Sequence, residues 1–380
     1  GFQIRGMLKF LEAVLLLSGM VIGAGMFAIP FSFAQTGFWL GAAELGILSL
    51  AVLGLHLLYG EIVLATPVYH RMPGYVRLHL GRGMAGVSWL SSLFGIGGTL
   101  LAYLVVDSLF LQTIADGGRV GAVPLWWIVV LAGAVAAITF FPLKKEAAIN
   151  GFLTIFEIGF LVLVSAFLVK NIVPAHLSGA RAEHFFVPYG VLLFALSGAS
   201  VIPDLVTVLG RNGKKVRAAI ITGSLIPAFL YFFFAYAVVG VTGAGTSEEA
   251  IAGLQRAVGG NIAFWASIAG FLAVFTSYVA LSANFHAMLR LDMGIPHRTA
   301  WLGASATPFL LYLAGFQNFI AIASAVGIFA FGVDGILFFL MGRKIRKKQT
   351  ARRPLASLAG YGILFVIIAG VLAELLRLAW

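Results

Sequence analysis

Apolar residues run along this chain in long unbroken blocks, and polar positions fall between the blocks rather than alternating within them. Blocks such as 152–169, 218–239 and 319–341 exceed the ~18 apolar residues that mark a helix able to cross a bilayer. A spanning β-barrel would show alternating stretches of ~10 residues instead, so the backbone hydrogen bonds must close within helices. Punctuation by glycine, proline and charge divides the chain into eleven segments: 8–33, 38–64, 87–114, 124–141, 149–172, 187–209, 218–241, 262–289, 300–315, 319–341 and 355–378. The expected class is an all-α integral membrane protein with eleven transmembrane helices in a single domain.

Composition points the same way. Of 380 residues, 61% are hydrophobic and 10% charged, with a mean hydropathy of +1.02, whereas soluble domains carry about a quarter charged residues. With no cysteine, disulfides, thiolate metal sites and cysteine nucleophiles are excluded, and no closely spaced histidine pair suggests zinc. The first segment has no small-residue cleavage site, so it is expected to be a mature helix rather than a signal peptide.

Charge then orients the helices. When loops are assigned alternately to two sides, 20 of the 25 lysines and arginines fall on the side of the N-terminus, including seven between Arg343 and Arg353. The positive-inside rule therefore predicts an inner (cytoplasmic) membrane protein with its N-terminus cytoplasmic and its C-terminus outside. The basic run is expected to anchor topology against membrane lipid, and neither nucleic acid nor an obligate protein partner is inferred. In one outer loop, Thr246 and Glu249 have capping-box spacing, with Ile251, Leu254 and Val258 on one face of a short helix, the pattern of an amphipathic lid.

Two segments carry signs of interruption. The first contains Gly19, Gly23 and Gly25, closed by Pro30, and each glycine costs a helix about 1 kcal/mol relative to alanine. The sixth contains Phe194-Ala195-Leu196-Ser197-Gly198-Ala199-Ser200, closed by Pro203. These positions correspond if helices 1–5 (8–172) and 6–10 (187–341) are inverted repeats, with segment 355–378 as an extra helix. Unwinding would free N–H groups at one half-helix and C=O groups at the other. Gly23, Ala24 and Gly25 would receive a carboxylate, and carbonyls near Phe194, Ala195 and Ser197 an ammonium, which together describe a zwitterionic amino acid. A glycine-rich packing face is the alternative.

The motif Val21-Ile22-Gly23-Ala24-Gly25-Met26-Phe27-Ala28-Ile29-Pro30, the sixth-segment motif through Pro203, and Thr276-Ser277-Tyr278 together resemble the amino acid/auxin permease family, within the amino acid-polyamine-organocation superfamily that shares the leucine-transporter fold. The resemblance implies a 5+5 inverted repeat plus one helix, alternating access, and amino acid symport driven by sodium or protons. It also implies a sodium site made by the carbonyls of Gly19 and Ile22 with Ala273, Thr276 and Ser277, whose i, i+3, i+4 spacing puts them on one helix face. Proton-coupled cousins place a lysine in the middle of helix 5, whereas the only lysine there is Lys170, near the outer end, so sodium is favoured. The resemblance implies a tyrosine of helix 3 in the substrate region, and Tyr103 is the one tyrosine there: its hydroxyl meets the substrate carboxylate, or it is an ordinary residue of the helix bundle. Phe27, Gly198 and Ser200 complete the candidate substrate-binding set.

Acids within the segments are the remaining candidates. Glu157, nearest a helix centre, is the candidate for proton coupling. Glu61 and Asp107 are expected to snorkel or to pair with loop arginines, and His56 to be a packing residue. No acid or base lies within the two interrupted motifs before Asp204, which favours small neutral substrates. The sequence predicts a secondary amino acid transporter with no cofactor other than a possible sodium ion. An amino acid sensor or exchanger on the same fold is the alternative, and no catalytic constellation suggests an enzyme.

Overall fold

The structure, a computed structural model, describes residues 2–141, 146–348, 362, 365, 366 and 368–372. Segment 355–378 therefore falls mostly outside the described residues, as do Lys144, Lys145, Arg352 and Arg353. Every regular element among the described residues is helical: α1 (Phe2–Val21), α2 (Gly25–Thr36), α3 (Phe38–Ala65), α4 (Met72–Leu80), α5 (Arg82–Ala115), α6 (Leu125–Phe140), α7 (Glu146–Leu168), α8 (Val187–Leu196), α9 (Ile202–Val208), α10 (Gly213–Thr242), α11 (Ile251–Val258), α12 (Ile262–Ala287), α13 (His297–Leu313), α14 (Phe319–Val326) and α15 (Gly332–Lys348).

Among the described residues, seven helical stretches are long and apolar enough to cross a membrane, counting α8 and α9 together as one (Val187–Val208). An eighth is formed by α1 and α2 if that bent pair counts as one span. Large apolar side chains such as Phe229, Phe233, Leu163 and Trp265 lie exposed on the outside, the surface a bilayer would cover. The chain is a multi-pass membrane protein.

Two packing groups place the interior. Helix α5 runs along α12 and also meets α4, α13 and α14, while α10 lies against α1, α2, α3 and α7. Between them α2 packs on α8. The tenth segment is wound as a π-helix over Gly327–Phe331 between α14 and α15, where a Cβ on Gly327 would sit 2.9 Å from the backbone nitrogen of Phe194. A side chain there would hold α8 away from this helix.

Two local expectations change. The loop helix α11 exists with Ile251 and Leu254 buried, but its cap is not the expected one. Thr246 bonds back to Thr242 and to the Gly243 carbonyl, while the Glu249 carboxylate accepts from the Ala252 amide and the Ser247 hydroxyl. The helix starts only at Ile251, with Ala250 at its N-cap in the left-handed region (φ 67°), so Thr246 lies four residues before the cap position and is too far back to cap it. Asp107 neither snorkels nor pairs with an arginine: it is fully buried on α5, and neither carboxylate oxygen has a hydrogen-bond partner among the described residues. Its position more than two turns before the end of α5 leaves it too deep to reach out. Glu61 does pair, with Arg346 at 2.8 Å.

Candidate functional site

The first segment is interrupted where its glycines cluster. Helix α1 stops at Val21, α2 starts at Gly25, and the two axes bend by 54°. The Ile22 amide still reaches the Ser18 carbonyl at 2.8 Å, while the amides of Met26 and Phe27 turn back three residues, to Gly23 and Ala24. The sixth segment holds α8, then a short 3-10 turn over Ala199–Val201, then α9. Pro203 lies in the first turn of α9, where its missing N–H removes no helical bond.

The two interruptions face each other. A Cβ on Gly25 would sit 2.8 Å from both Cα and Cβ of Ala195 and 3.1 Å from the Phe194 ring. One on Gly198 would meet the side chains of Val21 at 2.6 Å and Leu17 at 2.9 Å. Only glycine allows backbones this close. Tyr103 joins the same group: its hydroxyl would lie 2.8 Å from a Cβ on Gly23, and its ring packs edge-on to Tyr278 of α12 at 6.4 Å. Gly23, Gly25, Tyr103, Phe194, Ala195 and Gly198 are thus brought together, and Ala24 is buried between the two glycines. Ser197 is half-buried beside them, and Ser200 is exposed on the 3-10 turn.

Phe27 lies in the first turn of α2, within an aromatic cluster. Its ring meets Phe110 of α5 at 4.8 Å, Phe234 of α10 at 6.2 Å and Phe160 of α7 at 6.3 Å. Gly270 of α12 leaves room for it, since a Cβ there would approach Phe110 at 2.9 Å and Phe27 at 3.0 Å.

Two residues of the suspected cation site, Gly19 and Ser277, meet side chains of α7. Thr154, against which Gly19 packs, reaches the Leu15 carbonyl of α1 at 3.4 Å. Three residues on, Glu157 is 2% exposed and its Oε1 accepts from the Ser277 hydroxyl of α12 at 3.5 Å, while Oε2 has no partner among the described residues. The hydroxyls of Thr276 and Ser277 also donate to the Ala273 carbonyl, at 3.1 and 3.2 Å. Their lone pairs remain available, as a hard cation would need. Ile22 is fully buried one turn beyond Ser18.

Sequence reasoning did not single out Tyr231. It is fully buried on α10, and its hydroxyl donates to the Val21 carbonyl at 2.7 Å, with the Ala195 carbonyl at 3.2 Å. A tyrosine in the middle of an apolar span was the available signal, because a buried phenol needs a partner. His56 is the packing residue expected, 3.0 Å from Ser224 of α10. At the ends of the helices, the Arg211 guanidinium caps α3 by donating to the carbonyls of Val63, Leu64 and Thr66, and Tyr69 donates to Asp204 at 2.8 Å.

A family model described as the tryptophan/tyrosine permease family matches residues 7–377. The chain belongs to the tryptophan/tyrosine permease family. Among members and relatives, a low affinity tryptophan permease of Escherichia coli O157:H7 is 25% identical over 241 residues, covering 60% of this chain and 57% of that protein. Glutamine transporter 2 of Aliivibrio fischeri (strain ATCC 700601 / ES114) is 25% identical over 236 residues, covering 61% of each. The chain thus spans about three fifths of the length of these curated relatives. In three dimensions this permease-family chain is similar to MhsT, solved in complex with L-phenylalanine, with a TM-score of 0.68 at 14% identity over 96% of this chain and 98% of that one. The fold is leucine-transporter-like.

Proposed function

We propose that the protein is a secondary transporter that carries neutral amino acids across the cytoplasmic membrane by alternating access, coupled to a cation gradient. The observation that carries this reading is the apposition of the two interruptions, Gly25 against Ala195, with the Tyr103 hydroxyl on Gly23. Amides released at Gly23, Ala24 and Gly25 take the substrate carboxylate together with Tyr103, and carbonyls near Phe194, Ala195 and Ser197 take the ammonium. The zwitterion then needs no charged side chain. Phe27, Gly198 and Ser200 complete the proposed substrate set. Relatives named for tryptophan and glutamine support neutral side chains, and the tryptophan relatives leave side-chain size open to larger substrates than sequence reasoning favours.

The rest of the architecture belongs to the same proposal: eleven helices, helices 1 and 6 unwound, a 5+5 inverted repeat plus one helix, the N-terminus cytoplasmic, and kinship with the amino acid/auxin permeases in their superfamily. Membership of a permease family supports transport over catalysis.

For the coupling ion, sodium held by the carbonyls of Gly19, Ile22 and Ala273 with the hydroxyls of Thr276 and Ser277 is the first reading. A proton on Glu157 is the second, favoured by the buried, unpartnered Oε2 beside Ser277. Uptake of a labelled amino acid mixture into proteoliposomes, with sodium and pH gradients imposed separately, tests both. Accumulation driven by one gradient is expected and identifies the ion. Binding of amino acids without accumulation or exchange under either gradient would make the protein a sensor and refute transport.

A further inference from the structure

Two backbone carbonyls, one at the end of each interrupted helix, converge on a single hydroxyl. Val21 closes α1 and Ala195 lies in the last turn of α8. In an uninterrupted helix their carbonyls would accept from the amides four residues on, those of Gly25 and Ala199. Carbonyls at helix C-termini carry the negative end of the macrodipole, and in transporters with discontinuous helices such ends coordinate cations. Here the point between them holds the Tyr231 phenol, 2.7 Å from one oxygen and 3.2 Å from the other. The ring itself is fixed: α10 packs against α1, α2 and α8, and one turn along it Phe234 is wedged on Phe27.

We propose that the Tyr231 hydroxyl is a positioning group that stands in for a cation between the C-terminal ends of α1 and α8, holding the two interruptions in register with no metal ion bound at that point. A single O–H supplies the partial positive charge that both carbonyls need, and a stiff ring sets where it points. The inference rests on the reading that the interruptions form the substrate site, because it names what holds them together. It concerns the carbonyls of Val21 and Ala195, which are distinct from those of Gly19 and Ile22 assigned to the coupling ion.

The Tyr231→Phe variant removes the hydroxyl and keeps the ring. Purified protein free of amino acid is melted in chloride salts of choline, sodium, lithium and potassium at equal ionic strength, and amino acid binding is measured in the same salts. In choline the variant is expected to bind about tenfold more weakly than wild type. Sodium or lithium should restore that binding and raise the melting temperature beyond any shift they cause in wild type, because the freed carbonyls then take a small cation. Unchanged binding in choline overturns the proposal, and so does weakened binding that no cation restores. If the Phe variant does not purify folded, Tyr231→Met, equally without a donor, is read in its place. Should wild type bind no amino acid at all, the transport reading fails, while the salt-dependent melting of the variant still decides the role of Tyr231.

Discussion

Substituting Gly25 with alanine adds one carbon at the narrowest point between the interrupted segments. That carbon would lie 2.8 Å from Cα and Cβ of Ala195 and 3.1 Å from the Phe194 ring. A backbone atom cannot rotate out of the way, so relief requires α8 to move as a body away from α2. Overpacking of this kind costs about 1–3 kcal/mol. Alanine in a helix also gains up to about 1 kcal/mol over glycine, and Gly46→Ala in α3 isolates that gain, since a Cβ there meets nothing within 4 Å. The difference in unfolding free energy between the two variants therefore gives the steric cost alone, about 1–3 kcal/mol, or about 5- to 150-fold in the folded-to-unfolded ratio. Denaturant titration of both variants in the same detergent measures it. Equal stability of Gly25→Ala and Gly46→Ala, with amino acid binding unchanged in both, would refute the close approach of α2 and α8 and the site built on it.

Four further outcomes follow from the same geometry. Gly23→Leu should abolish amino acid binding in an equilibrium binding assay, because its side chain must displace the Tyr103 hydroxyl, which lies 2.8 Å from a Cβ at that position. Tyr103→Phe should weaken binding about tenfold through loss of one hydrogen bond to a charged carboxylate, measured with amino acids against their carboxamides, which should lose nothing. Ser277→Ala and Glu157→Gln separate the coupling ions in gradient-driven uptake: the first should abolish sodium dependence if sodium is the driver, the second pH dependence if the proton is. Arg211→Ala should lower unfolding free energy by about 1–2 kcal/mol through loss of bonds from a charged donor to the last carbonyls of α3, and unchanged stability would remove its capping role.

The membrane class and the helical segments were legible because blocks of apolar residues have one physical solution in lipid, and observed helices such as α3 and α5 start and stop within a few residues of the hydrophobic pattern. Gly23 and Gly25 marked the first interruption through helix propensity, a local property. What stayed hidden depends on which faces meet. The partner of Glu157 is Ser277, 120 residues away, and nothing along the chain pairs them. Tyr231 looked like one aromatic among many until two carbonyls were found on its hydroxyl. The burial of Asp107 depends on the helices packed around α5, α12 foremost, and not on its distance from the segment end, which the hydrophobic pattern places within one residue of Ala115. The cap of α11 failed for a smaller reason, the left-handed Ala250, which spacing alone does not reveal.

The absence of native cysteine allows the sharpest test of whether the interrupted helices hold a zwitterion. A single cysteine introduced at Ser197, half-buried at the end of α8, is alkylated in membranes with and without added ligands, and the labelling rate is followed by mass shift. The expected result is slowed labelling by neutral amino acids and no effect from the matching amines or N-acetylated acids, each of which carries only one of the two charges. Labelling indifferent to amino acids, or slowed as much by the singly charged analogues, would contradict a site that grips both ends of the substrate with backbone dipoles.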